Sequence, residues 1–534
     1  MSQDQAAVPD VAALVREAAA DFPDRLAVVE AGGRGLTWAE LEDEVARVAT
    51  GLGRIGVLAG HRVMLAMGNR IEFVTTYLGV LRTQAVAVPV NPGSTAAELA
   101  AMLVDSGART VVIDATSVEG VRAAVGRTEV TAAAHDEGRP VPHVVVVGID
   151  ADPTEDVYDA LRAEPARDVP PLQDPEKLAV LLYTSGTSGM PRAAMLTHRA
   201  LLANVDQVAT VDPPMIHADD VVLGVLPLFH VYGLGAVLGG VIRHRAKLVL
   251  TDRFDPEGTL DLIEDEACSV VPVAPPVFVA WRGMDALAER LGPVRMILSG
   301  SAPLSAEVVE EFTALAQVPV HQGYGLTEAS PVVTSTLLST TSKAGSVGAA
   351  LDGIGLRLVD EDGTPLTGSE SDDPGEIQIR GRNLFSGYWP DGADAPDHEG
   401  WWPTGDIGFL DADGDLFLVD RVKEIVIVSG FNVYPTEVEA VLGSVAGVRQ
   451  TAVLGTPDEQ TGEAVVAYVV PADPQADVDE LLAAVRGAAE ERLAAYKRPV
   501  RIEVVATLPR TVTGKIRKGM LRGEERRRAL GLLE

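Results

Sequence analysis

Short runs of Val, Ile and Leu recur along the chain, and segments of helical period lie between them. TVVIDA (110–115), HVVVVGI (143–149), KLVLTD (247–252) and RMILSG (295–300) are brief, almost wholly apolar and bounded by polar or glycine residues. That is the pattern of strands buried on both faces. Between such runs the spacing changes. Thr37-Trp38-Ala39-Glu40 has the form of a capping box, and Leu41, Val45, Val48 and Leu52 follow on one helical face. Strands alternating with helices predict an α/β fold with parallel sheets.

Two stretches break the alternation. Residues 360–415 are rich in Gly, Asp and Pro and carry short alternating segments such as GEIQIRG, which predicts a β-rich subdomain. DRVKEIVIVSGFNVYP then opens a further unit. Two strand-like runs flank TPDEQTGE between 448 and 470, and a helical run covers 478–495. The reading divides the chain at about residue 421, giving domains 1–420 and 421–534.

Composition narrows the function classes. With 534 residues and 47% hydrophobic content the chain can bury more than one core. Its net charge of -33 argues against general affinity for nucleic acid or an anionic membrane. The single cysteine, Cys268, rules out an internal disulfide and is read as a buried structural thiol. MSQDQAAVPD lacks the basic and apolar regions of a signal peptide, and no run of about 18 apolar residues predicts a membrane span. A cytoplasmic protein is expected, monomeric or homodimeric. No G-x-S-x-G elbow occurs, and no G-x-G-x-x-G follows a predicted strand. Hydrolase and dinucleotide-oxidoreductase readings therefore lack their motifs.

The chemistry concentrates in YTSGTSGMPRAAM (183–195). Gly186 and Gly189 let a backbone approach a polyphosphate, and Thr184, Ser185, Thr187 and Ser188 add hydroxyl donors. Arg192 supplies charge. The spacing is not that of a Walker loop. Further segments follow in order: LPLFHVYG (226–233), SGSAPLS (299–305), GYGLTE (323–328), GEIQIRGRNLFSGY (375–388), WPTGD (402–406), DRVKEIVIVSGFNVYPTEVE (420–439) and PRTVTGKIRK (509–518). The C-terminal end is locally basic, and Lys515 stands in a polar loop after Thr511, Thr513 and Gly514.

Together these segments resemble the adenylate-forming superfamily of acyl-CoA synthetases, peptide-synthetase adenylation domains and firefly-type luciferases. The resemblance is greatest to medium- or long-chain fatty acid–CoA ligases. It implies a large N-terminal domain of stacked α/β sheets with a β-rich subdomain, and a small mobile α+β C-terminal domain. It implies activation of a carboxylic acid as acyl-AMP with loss of pyrophosphate, then transfer to coenzyme A, with ATP, Mg²⁺ and coenzyme A as the small molecules required. On this resemblance Thr184–Gly189 and Arg192 hold phosphates, while Gly300, Ser301, Ala302 and Pro303 edge the adenine. Gly323, Tyr324 and Gly325 line its pocket. Thr327 contacts the α-phosphate, and Glu328 with Thr184 holds the metal. Asp406 takes the ribose, Arg421 partners it, Lys515 is the catalytic lysine and Lys423 is the hinge. Ser429 and Gly430 line the coenzyme A path.

His230 stands where amino-acid-activating relatives place an Asp, which disfavours an amino acid substrate, since a buried ammonium needs a carboxylate partner. It resembles instead the aromatic residue beside the acyl carboxylate, with Tyr232, Leu234, Ala274, Gly323 and Val332 expected in the acyl pocket. An aryl or cinnamate-type acid, a carrier-protein phosphopantetheine as acceptor, and a catalytically silent ATP-binding homologue remain open alternatives. Two departures stand out: Arg192-Ala193 replaces the usual Lys-Gly, which questions the loop's turn, and Gln84 replaces a usual Gly.

Overall fold

The computed structural model describes residues 10–163, 165–185, 191–301, 304, 306–341, 343, 345–360, 362–366, 375–421, 426–433 and 435–509, with residues 516, 518, 521, 522, 525 and 528. Among them the strands form three sheets, of 13, 7 and 5 strands. The α/β class read from the sequence is what the chain adopts.

The four apolar runs are strands at Thr110–Ile113, His143–Val146, Lys247–Leu250 and Met296–Ser299, each in parallel pairing. Burial explains their lack of alternation, because helices cover the faces of parallel sheets. The capping box also forms. Glu40 N–H donates to Thr37 Oγ1 at 3.2 Å, and Thr37 N–H donates to Glu40 Oε2 at 2.8 Å. The helix Trp38–Arg54 that it starts buries Leu41, Val45, Val48 and Leu52.

The seven-stranded sheet ends in an antiparallel hairpin, Leu178–Ser185 with Pro191–Thr197, whose flanks carry Thr184 and Arg192 opposite one another. The 13-stranded sheet has a parallel half and an antiparallel half that meet at Val320–Gly325, which pairs parallel to Met296–Ser299 and antiparallel to Val332–Ser335. This corrects the expected β-rich subdomain. It begins near Val332, earlier than 360, and continues the large sheet through Ser346–Ala350, Leu416–Arg421 and Trp401–Leu410. Strand pairing runs across the composition shift at 360: the Gly-, Asp- and Pro-rich segments are the connections around the strands Gly375–Arg380 and Trp401–Leu410. One core cluster runs between the two large sheets, from Val63 and Phe73 to Leu234 and Ile377.

The five-stranded sheet has a different order. Val448–Asp458 and Gly462–Pro471 form a long hairpin around the turn expected at TPDEQTGE. Helices Pro435–Gly443 and Val478–Arg492 accompany it. Val465, Ala467 and Val469 belong to one core cluster; Val466, Tyr468 and Val470 belong to another that includes Ile516 and Leu521. The period-2 alternation thus separates two faces. The basic C-terminal residues are partly ion-paired, Lys518 with Glu439 at 2.7 Å and Arg528 with Glu503 at 2.7 Å. Cys268 is buried, and burial pushes its thiol up to about 12. No helix among the described residues is long and apolar enough to cross a membrane.

Gln84 receives a structural explanation. It follows the helix Ile71–Arg82 with φ of 59°, and its carbonyl accepts the Gly60 N–H at 2.9 Å. A left-handed backbone strains a residue with a Cβ by about 1–2 kcal/mol, whereas glycine adopts it freely at some cost in chain entropy. Gln84→Gly should therefore stabilise the protein by about 0.5–1 kcal/mol and raise the thermal midpoint by a degree or two, on the order expected for a large chain. An unchanged or lowered midpoint would mean that the Gln84 side chain offsets the strain.

Candidate active site

The hairpin, the parallel-strand edge and the antiparallel half of the large sheet enclose one cavity of about 610 Å³. Thr184 and Arg192 enter from the hairpin. Gly300 and Ser301 follow the strand Met296–Ser299, and Gly323, Tyr324 and Gly325 end the strand Val320–Gly325. Thr327 and Glu328 lie in the short turn after it. His230, Tyr232 and Val332 form another wall, Asp406 comes from Trp401–Leu410, and Gly430 closes the far side.

Several local constraints make this arrangement. A Cβ on Gly300 would lie 2.7 Å from Tyr232 Cε1, so only glycine lets the Tyr232 ring pack there; its hydroxyl donates to the Leu298 carbonyl at 3.2 Å. Tyr324 OH donates to Asp406 Oδ2 at 2.6 Å, bringing together the residues expected at the base and at the ribose. Arg421 faces Asp406 across the strand pair by backbone register. Ser429 and Gly430 have φ of 51° and 82° between the paired residues Val428 and Phe431. Two positive φ values mark a type I′ hairpin turn, so Gly430 has a backbone reason to be glycine. A Cβ there would lie 3.4 Å from the Ala274 methyl.

The expectation that Ala193 disturbs the loop is corrected. Ala193 is in the strand, opposite Tyr183, and its φ is not positive; its carbonyl accepts the Trp389 N–H at 2.8 Å. An extended strand position asks nothing of glycine. Arg192 next to it stacks on Tyr388, 3.8 Å from the ring centroid, and its Nη1 lies 2.6 Å from Asp394 Oδ2. Tyr388 OH donates to Glu328 Oε1 at 2.5 Å. Burial, with Glu328 beside it, pushes the Tyr388 phenol far up, so it remains a donor. Arg192, Tyr388 and Glu328 thus form a single chain of contacts at the cavity edge.

His230 is neutral: burial pushes its imidazole down to about 4. Its Nδ1 accepts the Tyr232 N–H at 3.3 Å, which assigns the proton to Nε2. Leu234 and Ala274 do not line the cavity. Leu234, itself within the π-helical turn Tyr232–Gly239, is 2% exposed and packs into the core. Ala236 and Val237 of that turn line the cavity instead, together with Val208, Met215 and Ile216. Nothing in a single sequence flags these apolar residues, since they belong to no polar motif. Tyr388 ends the segment GEIQIRGRNLFSGY, but its role shows only through its contacts.

Glu328 and Thr184 are oxygen donors, the class that suits magnesium. Among the described residues no group of three or more His, Cys, Asp or Glu could hold a metal alone. A magnesium ion here would therefore depend on phosphate oxygens for its other ligands. Gly186, Thr187, Ser188, Gly189, Ala302, Pro303, Lys423 and Lys515 lie outside the described residues, and of Ser185 and Arg421 only the backbone is described.

Residues 15–389 match the family described as AMP-binding enzyme, and residues 437–515 match its C-terminal domain. The 4-coumarate–CoA ligase 5 of Oryza sativa subsp. japonica is 35% identical over 97% of this chain and 95% of its own length. A long-chain-fatty-acid–CoA ligase of Bacillus subtilis (strain 168) is 32% identical over 96% and 94%. Among solved structures, the amide bond synthetase McbA from Marinactinospora thermotolerans superimposes with a TM-score of 0.80 at 27% identity, over 96% of this chain and 99% of that one. The cavity, the order of the motifs and these matches agree: the chain belongs to the AMP-binding enzymes of the adenylate-forming superfamily.

Proposed function

We propose that the protein is an ATP-dependent acid–CoA ligase whose acid is compact and apolar, of the arylpropenoic kind. A single cavity opens to the Tyr324–Asp406 pair, to Arg192 and Glu328, to neutral His230 and to Gly430; this observation carries the reading. Its volume of about 610 Å³ is that of one ordinary small-ligand site. It has to take both the nucleotide and the acid, which favours a short, flat acid over a long chain. The 4-coumarate–CoA ligases among the relatives support the same choice. A medium-chain fatty acid is the second reading, favoured by the apolar end formed by Val208, Met215, Ile216 and Val237 and by the Bacillus relative.

In this reading an oxygen of the acid attacks the α-phosphorus of ATP, and the bond to pyrophosphate breaks. His230 Nε2–H orients the attacking carboxylate as a neutral donor. Tyr324 and Asp406, with Arg421, hold the nucleoside, and Thr327 holds the α-phosphate. Arg192, Thr184 and residues 185–189 hold the departing pyrophosphate. Lys515 adds positive charge where negative charge crowds, an effect worth ~10²–10³ in rate per aimed contact. Glu328 and Thr184 would hold Mg²⁺, which supplies charge neutralisation on the phosphates. In the second step the coenzyme A sulfur attacks the acyl carbonyl, the thiol proton leaves to solvent and AMP departs. Ser429 and Gly430 flank the thiol's route, and Lys423 is the hinge of a C-terminal unit that begins near residue 421.

Three outcomes are expected. Offered a panel of carboxylic acids with ATP and coenzyme A, the protein should form thioesters best with arylpropenoic acids, read by mass spectrometry; preference for C14 and longer chains would reject the compact-acid reading. Lys515→Ala should abolish acid-dependent ATP–pyrophosphate exchange yet leave thioester formation from supplied acyl-AMP largely intact, whereas equal loss of both would remove Lys515 from the first step. Tyr388→Phe removes a hydrogen bond to a charged group, worth about 1.5–3 kcal/mol. It should lower exchange turnover by roughly ten- to a hundredfold and raise the magnesium needed for half-maximal rate. Unaltered turnover and magnesium dependence would limit Tyr388 to packing.

A further inference from the structure

Gly430 is held at the cavity by contacts that originate some way from it. Phe431, the next residue, stacks on Phe229 with centroids 6.1 Å apart and packs on Tyr496 at 4.7 Å. Phe229 is the residue before His230, which lines the cavity. Tyr496 is followed by Lys497, which is 8% exposed. Lys497 Nζ donates to Glu437 Oε1 at 2.7 Å within the C-terminal unit, and to Glu98 Oε1 at 2.9 Å in the N-terminal unit. The two contacts differ in what maintains them. Glu437 is 60 residues away, in the first turn of the helix Pro435–Gly443, and stays beside Lys497 wherever that unit sits. Glu98 is 399 residues away and meets Lys497 only when the units are docked.

Glu98 is also unusually fixed. It is the last member of the capping box of helix Ala96–Ser106: Thr95 N–H donates to Glu98 Oε2 at 2.8 Å, and Glu98 N–H donates to Thr95 Oγ1 at 3.3 Å. One carboxylate oxygen is committed to the cap and the other faces the ammonium. Lys497 keeps Glu437 in any pose, so Glu98 is the member that loses its cation when the units shift: a buried charge pair adds little net stability, because desolvation offsets attraction, but a pose that covers Glu98 without Lys497 is penalised. It therefore specifies register. Among the described residues the C-terminal unit reaches the cavity only through Gly430, while Ile516, next to Lys515, packs on the sheet face that carries Val466 and Tyr468. The docked pose thus presents the turn at Ser429 and Gly430 to the cavity.

We infer that Glu98 and Lys497 are positioning residues for thioester formation: their ion pair registers the C-terminal unit in the pose that brings Gly430 to the cavity. The inference rests on the ligase reading for its kinetic consequence and on geometry alone for the docking.

Glu98→Gln tests it, because glutamine retains the cap and removes the charge. Thioester formation from supplied acyl-AMP should fall about tenfold or more, the scale on which breaking a buried pair acts, with ATP–pyrophosphate exchange within about twofold of the parent as the control. Docking is read without any substrate from energy transfer between dyes on Ala132→Cys and Asp479→Cys, both exposed positions; buried Cys268 remains unlabelled. Glu98→Gln and Lys497→Gln should each deplete the high-transfer population. A dye-pair distribution identical to the parent's in both variants overturns the inference whatever the rates are, and so does equal loss of exchange and thioester formation. If no acid gives a thioester in the parent, the ligase reading fails while the dye measurement still decides the docking.

Discussion

A protein of net charge -33 that is to hold a polyphosphate beside a carboxylic acid has to manage negative charge at close quarters. Most of the site's geometry can be understood from that constraint. Among the described residues lining the cavity, Arg192 is the one permanent cation. Its guanidinium is fixed on two sides, stacked on Tyr388 and paired with Asp394. Tyr388 turns its hydroxyl to Glu328, so one aromatic residue orders both a cation and an anion. The order depends on strand pairing: Met195 N–H donates to the Gly387 carbonyl, and Trp389 N–H donates to the Ala193 carbonyl. These backbone bonds bring the segment 386–389 alongside the hairpin strand and fix the distance between residue 192 and residue 388. Arginine suits the stacked position better than lysine, because its planar group can lie on the ring and still present donors.

The sequence made the backbone-driven parts of this architecture legible. The capping box at Thr37, the buried strands and the hairpin at 448–470 depend on local chemistry, and they form where the spacing predicted. The glycine positions were legible for the same reason, although the cause at Gly430 is partly a turn requirement that the sequence alone did not expose. Features set by contact between distant segments were not legible. Asp394 meets Arg192 across 202 residues, and Val208 and Met215 meet Val237 in the cavity wall with no motif to mark them. Leu234, expected in the acyl pocket, packs in the core instead, and no motif separates it from the neighbouring Ala236 and Val237 that line the cavity. Gln84 shows the reverse case, a departure from pattern whose meaning is conformational and carries no chemistry.

His230 shows how burial selects a mechanism. A charged imidazolium or an arginine beside the acid would bind its carboxylate strongly before reaction and lose that interaction as the carboxylate becomes a mixed anhydride. Such ground-state binding does not lower the barrier. Burial makes the imidazole neutral across the physiological range, because its proton leaves at about 4. The hydrogen bond from Tyr232 N–H to Nδ1 then directs the remaining N–H outward at Nε2. In the proposed reaction such a neutral donor would orient the acid at modest cost and interfere little with charge transfer toward phosphorus. In the same reaction the strong cationic contribution would belong at the phosphate end, the role proposed for Arg192, where charge accumulates as pyrophosphate leaves. The proposed division of labour between a neutral donor at the acid and a fixed cation at the phosphates follows from the depth of His230 and from the stacked, ion-paired position of Arg192 at the cavity edge.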